Sequence, residues 1–184
     1  MTEVPEEDRF MANTLGMTKL MHELISAAYA KGFKEINPQI IGMAGGYLSG
    51  YNKTDLIETF ITHTYEECWE KILLSNDDFF ISHSTKIFGK LPVDESYIGS
   101  FGSLFTKKHE DGSAIISVDD KKALFRNAQS LVKICIKYIH RKREVKLVEI
   151  DGVFKPRYLY NFFPEIKVRE LAKLWVIKLP MPQI

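Results

Sequence analysis

The chain has 184 residues, with 25 Lys+Arg, 24 Asp+Glu and a formal net charge of +1. Hydrophobic residues make up 45% of it, which excludes intrinsic disorder, and two cysteines are too few for a disulfide-stabilised scaffold. No window holds the roughly 18 apolar residues that a transmembrane helix needs. We therefore expect a single globular domain over residues 8–184, preceded by a disordered lead over residues 1–7.

The first part of the chain is predicted to contain two helices, with a glycine-rich segment between them that begins like a helix but could also be a loop. Apolar residues recur at intervals of three and four over residues 8–31, and Gly32 suits the left-handed residue that ends a helix. Asn37-Pro38 begins an apolar, glycine-rich segment, because proline suits the first turn of a helix. Asn52 can cap the next helix, over residues 52–73.

Helices are also predicted in the rest of the chain. A short helix is expected over residues 77–88, whereas residues 94–106 have no clear pattern. The clearest element is an amphipathic helix over residues 119–143, which follows a Ser and Asp spaced as in a capping box. A last helix is expected to begin at Pro164.

Two Asp-Gly pairs, Asp111-Gly112 and Asp151-Gly152, lie between apolar segments with β-branched residues. Asp-Gly in this setting is the strongest short-range signal for a β-hairpin. Pro156 restricts the second hairpin to an edge or the end of a strand. The sequence therefore predicts an α+β fold that is predominantly α-helical, with five or six helices and one or two short β-hairpins.

Two patterns could carry ligand chemistry, and each has a simpler explanation. Gly45 and Gly50 have the spacing of a phosphate-binding loop, but Lys53-Thr54 stands two positions too late. His63 and Glu67 could supply two metal ligands from one helix face, yet the spacing offers no third. Small-residue packing and a solvated helix face explain these residues better than a ligand site does. We predict no cofactor, metal or catalytic residue, and the sequence favours a non-enzyme without deciding it.

Cysteine and methionine positions bear on location and on packing. Cys68 and Cys135 fall on apolar helix faces, where a free thiol packs as a small hydrophobe. No secretory signal is recognisable at the N-terminus, so we expect a reducing, intracellular location, cytoplasmic or nuclear, with a virion component as the alternative. Four methionines are candidates for an adaptable apolar surface or for core filling: Met11, Met17, Met21 and Met43.

Charge is segregated along the chain. Residues 1–105 hold 8 basic and 15 acidic side chains, whereas residues 106–184 hold 17 basic and 9 acidic ones. The excess of positive charge is concentrated on the predicted helix over residues 119–143, where cations recur at steps of four and seven. The candidate residues for binding an anion or a partner are Lys122, Arg126, Lys133, Lys137, Arg141, Lys142 and Arg143. Alternatively, the two halves neutralise each other within the fold.

These features favour a non-catalytic protein-interaction or structural assembly component that binds a protein partner or itself. The alternative is a nucleic-acid-binding accessory factor that uses the basic helix over residues 119–143. Aromatic residues could then stack on bases, although core packing explains them more simply: Tyr158, Tyr160, Phe162 and Phe163. We predict neither a membrane partner nor an identifiable small-molecule substrate.

Overall fold

The computed structural model describes residues 3–74, 76–83, 95–142, 146–150 and 153–157, which are predominantly helical. Six α-helices lie in this part of the chain: α1 (Glu6–Ala30), α2 (Pro38–Ser49), α3 (Lys53–Leu73), α4 (Asp77–Ser82), α5 (Glu95–Thr106) and α6 (Val118–Lys142). Two short strands follow, β1 (Lys146–Ile150) and β2 (Val153–Arg157), and they pair antiparallel with Ile150 opposite Val153.

Local side-chain chemistry sets several helix ends, as the sequence predicts. Gly32 follows α1 with φ at +104°, a left-handed conformation that glycine adopts without strain. Asn37 and Asn52 each accept a hydrogen bond from a backbone N–H in the first turn of α2 and α3, at 2.9 and 3.0 Å. Ser117 accepts from the N–H of Asp120 at 3.1 Å and donates to its carboxylate at 2.7 Å.

Two apolar clusters hold the helices together. The first surrounds the buried Trp69 and packs α3 against α6 and against Phe10 of α1. The second packs the last turns of α1 against α5, Ile41 of α2 and the buried Ile36. Because α1 and α6 each contribute to both clusters, these two long helices are the elements that join them.

The predicted α+β class is wrong, since the described residues are predominantly helical and both apolar clusters are formed by helices and the segments between them. Asp111-Gly112 makes a tight turn with Gly112 at φ +81°, but a single bridge between Lys108 and Ala114 takes the place of a hairpin. The apolar residues before the turn, Leu104 and Phe105, belong to the last turn of α5, and Ile116 after it is buried in the second cluster. Neither flank is therefore free to extend as a strand.

Other boundaries differ from the prediction. α1 begins at Glu6, so two residues of the predicted disordered lead, residues 1–7, lie in its first turn. Residues 94–106, which have no clear pattern in the sequence, form α5 from Glu95 onward. The helix predicted over residues 77–88 ends at Ser82. The Asp151-Gly152 pair and the helix expected from Pro164 lie outside the described residues.

Candidate interaction surface

Helix α6 turns most of its circumference toward the rest of the protein. Ten of its residues are buried: Leu124, Phe125, Ala128, Leu131, Val132, Ile134, Cys135, Ile136, Tyr138 and Ile139. Helices α1 and α3 pack against this side. Burial on so wide an arc leaves α6 one narrow face for charged side chains, and the predicted binding residues fall on it.

That narrow face carries a row of cations. Lys122, Arg126 and Lys137 are exposed, and none of them makes an ion pair with another described residue. Lys133 lies between them and is half-buried. From Lys121 to Lys142 the helix has seven Lys and Arg residues and no acidic residue. Lys122, Arg126, Lys133 and Lys137, here called the basic face, extend over about 22 Å at 1.5 Å per residue.

Arg141 does not belong to the basic face, although the sequence places it there. Its Nη2 donates to both carboxylate oxygens of Glu7, at 2.7 and 2.6 Å, and its Nε lies 2.9 Å from Oε2 of Glu6. The Nε–H is not directed at that oxygen, so the contact with Glu6 is an ion pair and not a hydrogen bond. The guanidinium is thereby held by two acidic residues at the start of α1.

The environment of Arg141 keeps its guanidinium charged. Burial by itself would lower the pKa of Arg141, but the hydrogen bonds that Arg141 donates to Glu7 and the charges of Glu6 and Glu7 outweigh it and raise that pKa. The carboxylates are mostly buried, with 12% and 15% of their side chains exposed. This arginine therefore stabilises a helix contact and offers little charge to a partner.

The last two predicted binding residues are not placed by the structure. Lys142 ends α6, and its side chain is outside the description. Arg143 lies outside the described residues altogether. Of the seven predicted residues, four therefore share one face, Arg141 is paired with Glu6 and Glu7, and the side chains of the last two are not described.

The loop between α5 and α6 adds less positive charge than its sequence indicates. Lys107 is paired with Glu35, and this hydrogen bond holds the pKa of the Glu35 carboxyl below its ordinary value. Lys121 donates to the carbonyl of Phe105 at 3.3 Å. Lys108 is exposed and is the lysine of this loop that remains available to extend the positive surface.

The acidic N-terminal half is partly neutralised within the fold. Asp8 pairs with Lys53, and Glu6 and Glu7 pair with Arg141. Glu58 accepts a hydrogen bond from the hydroxyl of Tyr138 at 2.7 Å. The alternative explanation of the segregated charge, mutual neutralisation, therefore holds for Arg141 with Glu6 and Glu7 and for Lys107 with Glu35, but not for Lys122, Arg126 and Lys137 within the described residues.

The glycine-rich segment is helical rather than a loop, so it cannot cradle a phosphate in the manner of a phosphate-binding loop. The Nδ1 atom of His63 lies 2.9 Å from the carbonyl oxygen of Thr59, and the side chain of Glu67 is not described. Among the described residues, no group of three His, Cys, Asp or Glu side chains is arranged to hold a metal ion.

The two thiols lie within the first apolar cluster. Cys68 and Cys135 are completely buried, and burial raises the pKa of the Cys135 thiol well above its ordinary value. A thiol in this environment is a poor nucleophile because little thiolate forms.

The four methionines named above differ in exposure: Met11 is buried, Met17 and Met21 are half-buried, and Met43 is 74% exposed.

Sequence reasoning missed Glu6 and Glu7 as partners of Arg141. The available signal was a run of acidic residues beside the first apolar residues, which suits the positive end of a helix.

Within the described part of the chain, no helix is both long and apolar enough to cross a membrane. No protein-family model, curated protein or solved structure matches the chain.

Proposed function

We propose that the protein is a non-catalytic interaction or assembly component that binds an acidic protein partner through the basic face of α6. The observation that carries this proposal is the exposure of Lys122, Arg126 and Lys137 on one face without an ion pair in the described part of the chain. Charged residues that are not used within a fold attract partners of opposite charge and raise association rates.

The shape of the surface supports a protein partner. The basic face is a straight row on a helix whose other sides are buried, so it is held rigidly by α1 and α3. The backbone of such a helix loses little conformational entropy on binding, and the cost that remains is the ordering of the Lys and Arg side chains themselves. Its contribution is expected to be moderate, because exposed charge pairs are each worth about 0.2–1 kcal/mol.

A second candidate function, nucleic-acid binding, is favoured by the linear arrangement of the same cations. The row extends over about 22 Å, and phosphates on one strand of a duplex recur about every 3.4 Å of axis, so the cations could neutralise several phosphates of one strand. The aromatic residues predicted to stack on bases, at positions 158–163, lie outside the described residues. The candidate therefore depends on phosphate contacts alone.

The two candidates separate in a binding experiment on the full chain. Fluorescence anisotropy would measure binding to a labelled poly-glutamate peptide, to single-stranded RNA and to duplex DNA between about 20 and 200 mM salt. We expect binding of the acidic peptide that weakens as salt rises, because added ions screen exposed charges. Tighter binding of either nucleic acid than of the peptide at equal salt would favour the second candidate.

A matched pair of triple variants ties the binding to the basic face. Replacing Lys122, Arg126 and Lys137 together with Gln should weaken peptide binding about tenfold, since three exposed contacts are lost. The control replaces three exposed lysines elsewhere, Lys19, Lys31 and Lys71, with Gln and so changes the net charge equally. Equal losses in both variants would show that net charge, and not the basic face, is responsible.

A further inference from the structure

Helix α2 has an exposed face that is apolar and uncharged. Met43 and Tyr47 of α2 are 74% and 61% exposed, and Tyr51, two residues beyond the end of the helix with its ring 6.3 Å from that of Tyr47, is 40% exposed. The rest of this face consists of Gln39, Gly42, Gly46 and Gly50, all of them exposed. Contiguous apolar surface of this kind on a folded chain marks an interaction site more often than chance exposure does.

Gly45 and Gly46 of α2 differ in the space that surrounds them. A Cβ atom at Gly45 would lie 3.3 Å from Cγ2 of Thr18, so α1 approaches closely there. A Cβ atom at Gly46 would have no heavy atom within 4 Å. Glycine inside a helix costs about 0.5–1 kcal/mol relative to alanine. The described fold explains why position 45 is small, but it gives no reason for the missing side chain at position 46.

The charges around α2 indicate what kind of partner fits. Between Glu35 and Lys53 the sequence contains no charged residue. Glu35 is already paired with Lys107, and Lys53 with Asp8. A charged partner would therefore gain little here and would lose hydration, whereas an uncharged apolar surface is complementary. The same face of a second copy of this chain is such a surface, and it brings no like charges together.

We propose that the exposed face of α2 is a self-association surface on which α2 of a second copy packs antiparallel. With a two-fold axis between Ala44 and Gly45, Met43 of each copy lies opposite Gly46 of the other. The same axis places Gly42 opposite Tyr47. Met43 and Tyr47 then each meet a glycine, which lets the two helices approach closely, and the contact closes on itself as a two-fold dimer. This surface is separate from the basic face of α6.

The exposed area sets the expected strength. At roughly 200 Å² for each large side chain when fully exposed, three partly exposed ones offer a few hundred Å² per copy. Stable interfaces usually bury about 800 Å² per partner. The dimer is therefore weak and reversible, with a dissociation constant on the order of 10–100 μM.

Sedimentation velocity on the full chain between about 5 μM and 1 mM tests this proposal, with Gly46→Leu as the diagnostic variant. Leucine at this position meets open space in its own chain but would occupy the place of Met43 of the second copy. Gly16→Leu is the matched control, because Gly16 is an exposed helical glycine of α1 with nothing within 4 Å of its Cβ position. We expect concentration-dependent dimers for the natural chain and for Gly16→Leu, and monomers for Gly46→Leu.

A thermal melt of each variant completes the test. We expect Gly46→Leu to melt at or above the temperature of the natural chain, since the helix gains a better former without a clash. A natural chain that stays monomeric at 1 mM overturns the proposal. So does a Gly46→Leu variant that still dimerises. A monomeric natural chain whose melting temperature falls on substitution would mean that another part of the same chain covers the face. The triple Gln variant of the basic face should still dimerise, so failure here is distinguishable from failure of the proposed function.

Discussion

Arg141, in the last turn of α6, donates two hydrogen bonds to the carboxylate of Glu7, which lies 134 residues earlier in the first turn of α1. Glu6 adds an ion pair to the same guanidinium at 2.9 Å. The acidic residues stand at the positive end of one helix dipole and the arginine at the negative end of another, so each dipole also favours its own charge. This contact joins α1 and α6, the two long helices that contribute residues to both apolar clusters.

Replacing Arg141 with Ala should lower the free energy of unfolding by about 1–3 kcal/mol, between the values for exposed and buried ion pairs. The loss comes from leaving two mostly buried carboxylates without their cation. Arg141→Lys should recover only part of it, because an ammonium cannot reproduce the geometry of the guanidinium. Urea denaturation followed by circular dichroism measures the change.

The control for this prediction is Arg126→Ala, on the exposed basic face. Surface substitutions without such contacts usually change stability by less than about 0.5 kcal/mol. Arg126→Ala should instead weaken binding of the acidic peptide, which Arg141→Ala should leave unchanged. Equal stability of the two variants would contradict the importance of the contact between α1 and α6.

The elements that the sequence predicts well are those with local causes. The caps at Asn52 and Ser117 need only a side chain and the next turn of backbone. The inner face of α6 follows from apolar residues at helical spacing, all of which are buried in the structure. Local hydrogen bonds and periodicity are properties of a short segment, so a single sequence reveals them.

Elements that depend on distant residues are predicted less well. The turn at Asp111-Gly112 has hairpin chemistry, but burial of Ile116 decides that no strands extend from it. Helix α5 contains glycines that weaken its helical signal, and packing against the second cluster compensates for them. Arg141 has the spacing of a surface cation, yet Glu6 and Glu7 determine its role from the other end of the chain.

Lys107→Ala should raise the pKa of Glu35 toward its ordinary value of 4.5, because the hydrogen bond from Lys107 is the main cause that holds it lower. A carboxyl with a lowered pKa in the folded state contributes stability above the pKa of the unfolded state. That contribution is lost as the pH falls through the folded pKa. The stability difference between the natural chain and Lys107→Ala should therefore shrink as the pH is lowered past 4.5.

An NMR titration of the Glu35 carboxyl in both proteins measures this shift directly. Lys108→Ala serves as the control, since Lys108 is the exposed neighbour and forms no ion pair with another described residue. The pKa of Glu35 should be the same in Lys108→Ala as in the natural chain. An equal rise in both variants would indicate a general effect of net charge instead of the specific pair.

Thr64→Val should destabilise the fold by about 1–3 kcal/mol, the cost of removing a buried hydrogen-bonding partner. The hydroxyl of Thr64 accepts from Nε1 of Trp69 at 2.8 Å, and both residues are almost completely buried. Valine keeps the β-branched shape, so helix propensity and volume hardly change. Thr62→Val is the matched control. Like Thr64, Thr62 donates its hydroxyl to the backbone carbonyl four residues earlier, but Thr62 is exposed and, within the described residues, accepts no such bond from a tryptophan. A comparable loss in both variants would trace the effect to helix propensity.

The thiols of Cys68 and Cys135 should be inert in the native protein. Both are completely buried in the first cluster, so a reagent in solution does not reach either sulfur. Burial also raises the pKa of the Cys135 thiol, so little reactive thiolate forms there. An aromatic disulfide reagent at pH 8 should therefore modify neither thiol while the chain is folded, and both within minutes in 6 M guanidinium. Ser49→Cys, which places a thiol at an exposed position at the end of α2, should react at once in the native state. Rapid modification of a second thiol in that variant would mean that α3 and α6 separate readily, and the rate at which it appears would measure how often the core between them opens.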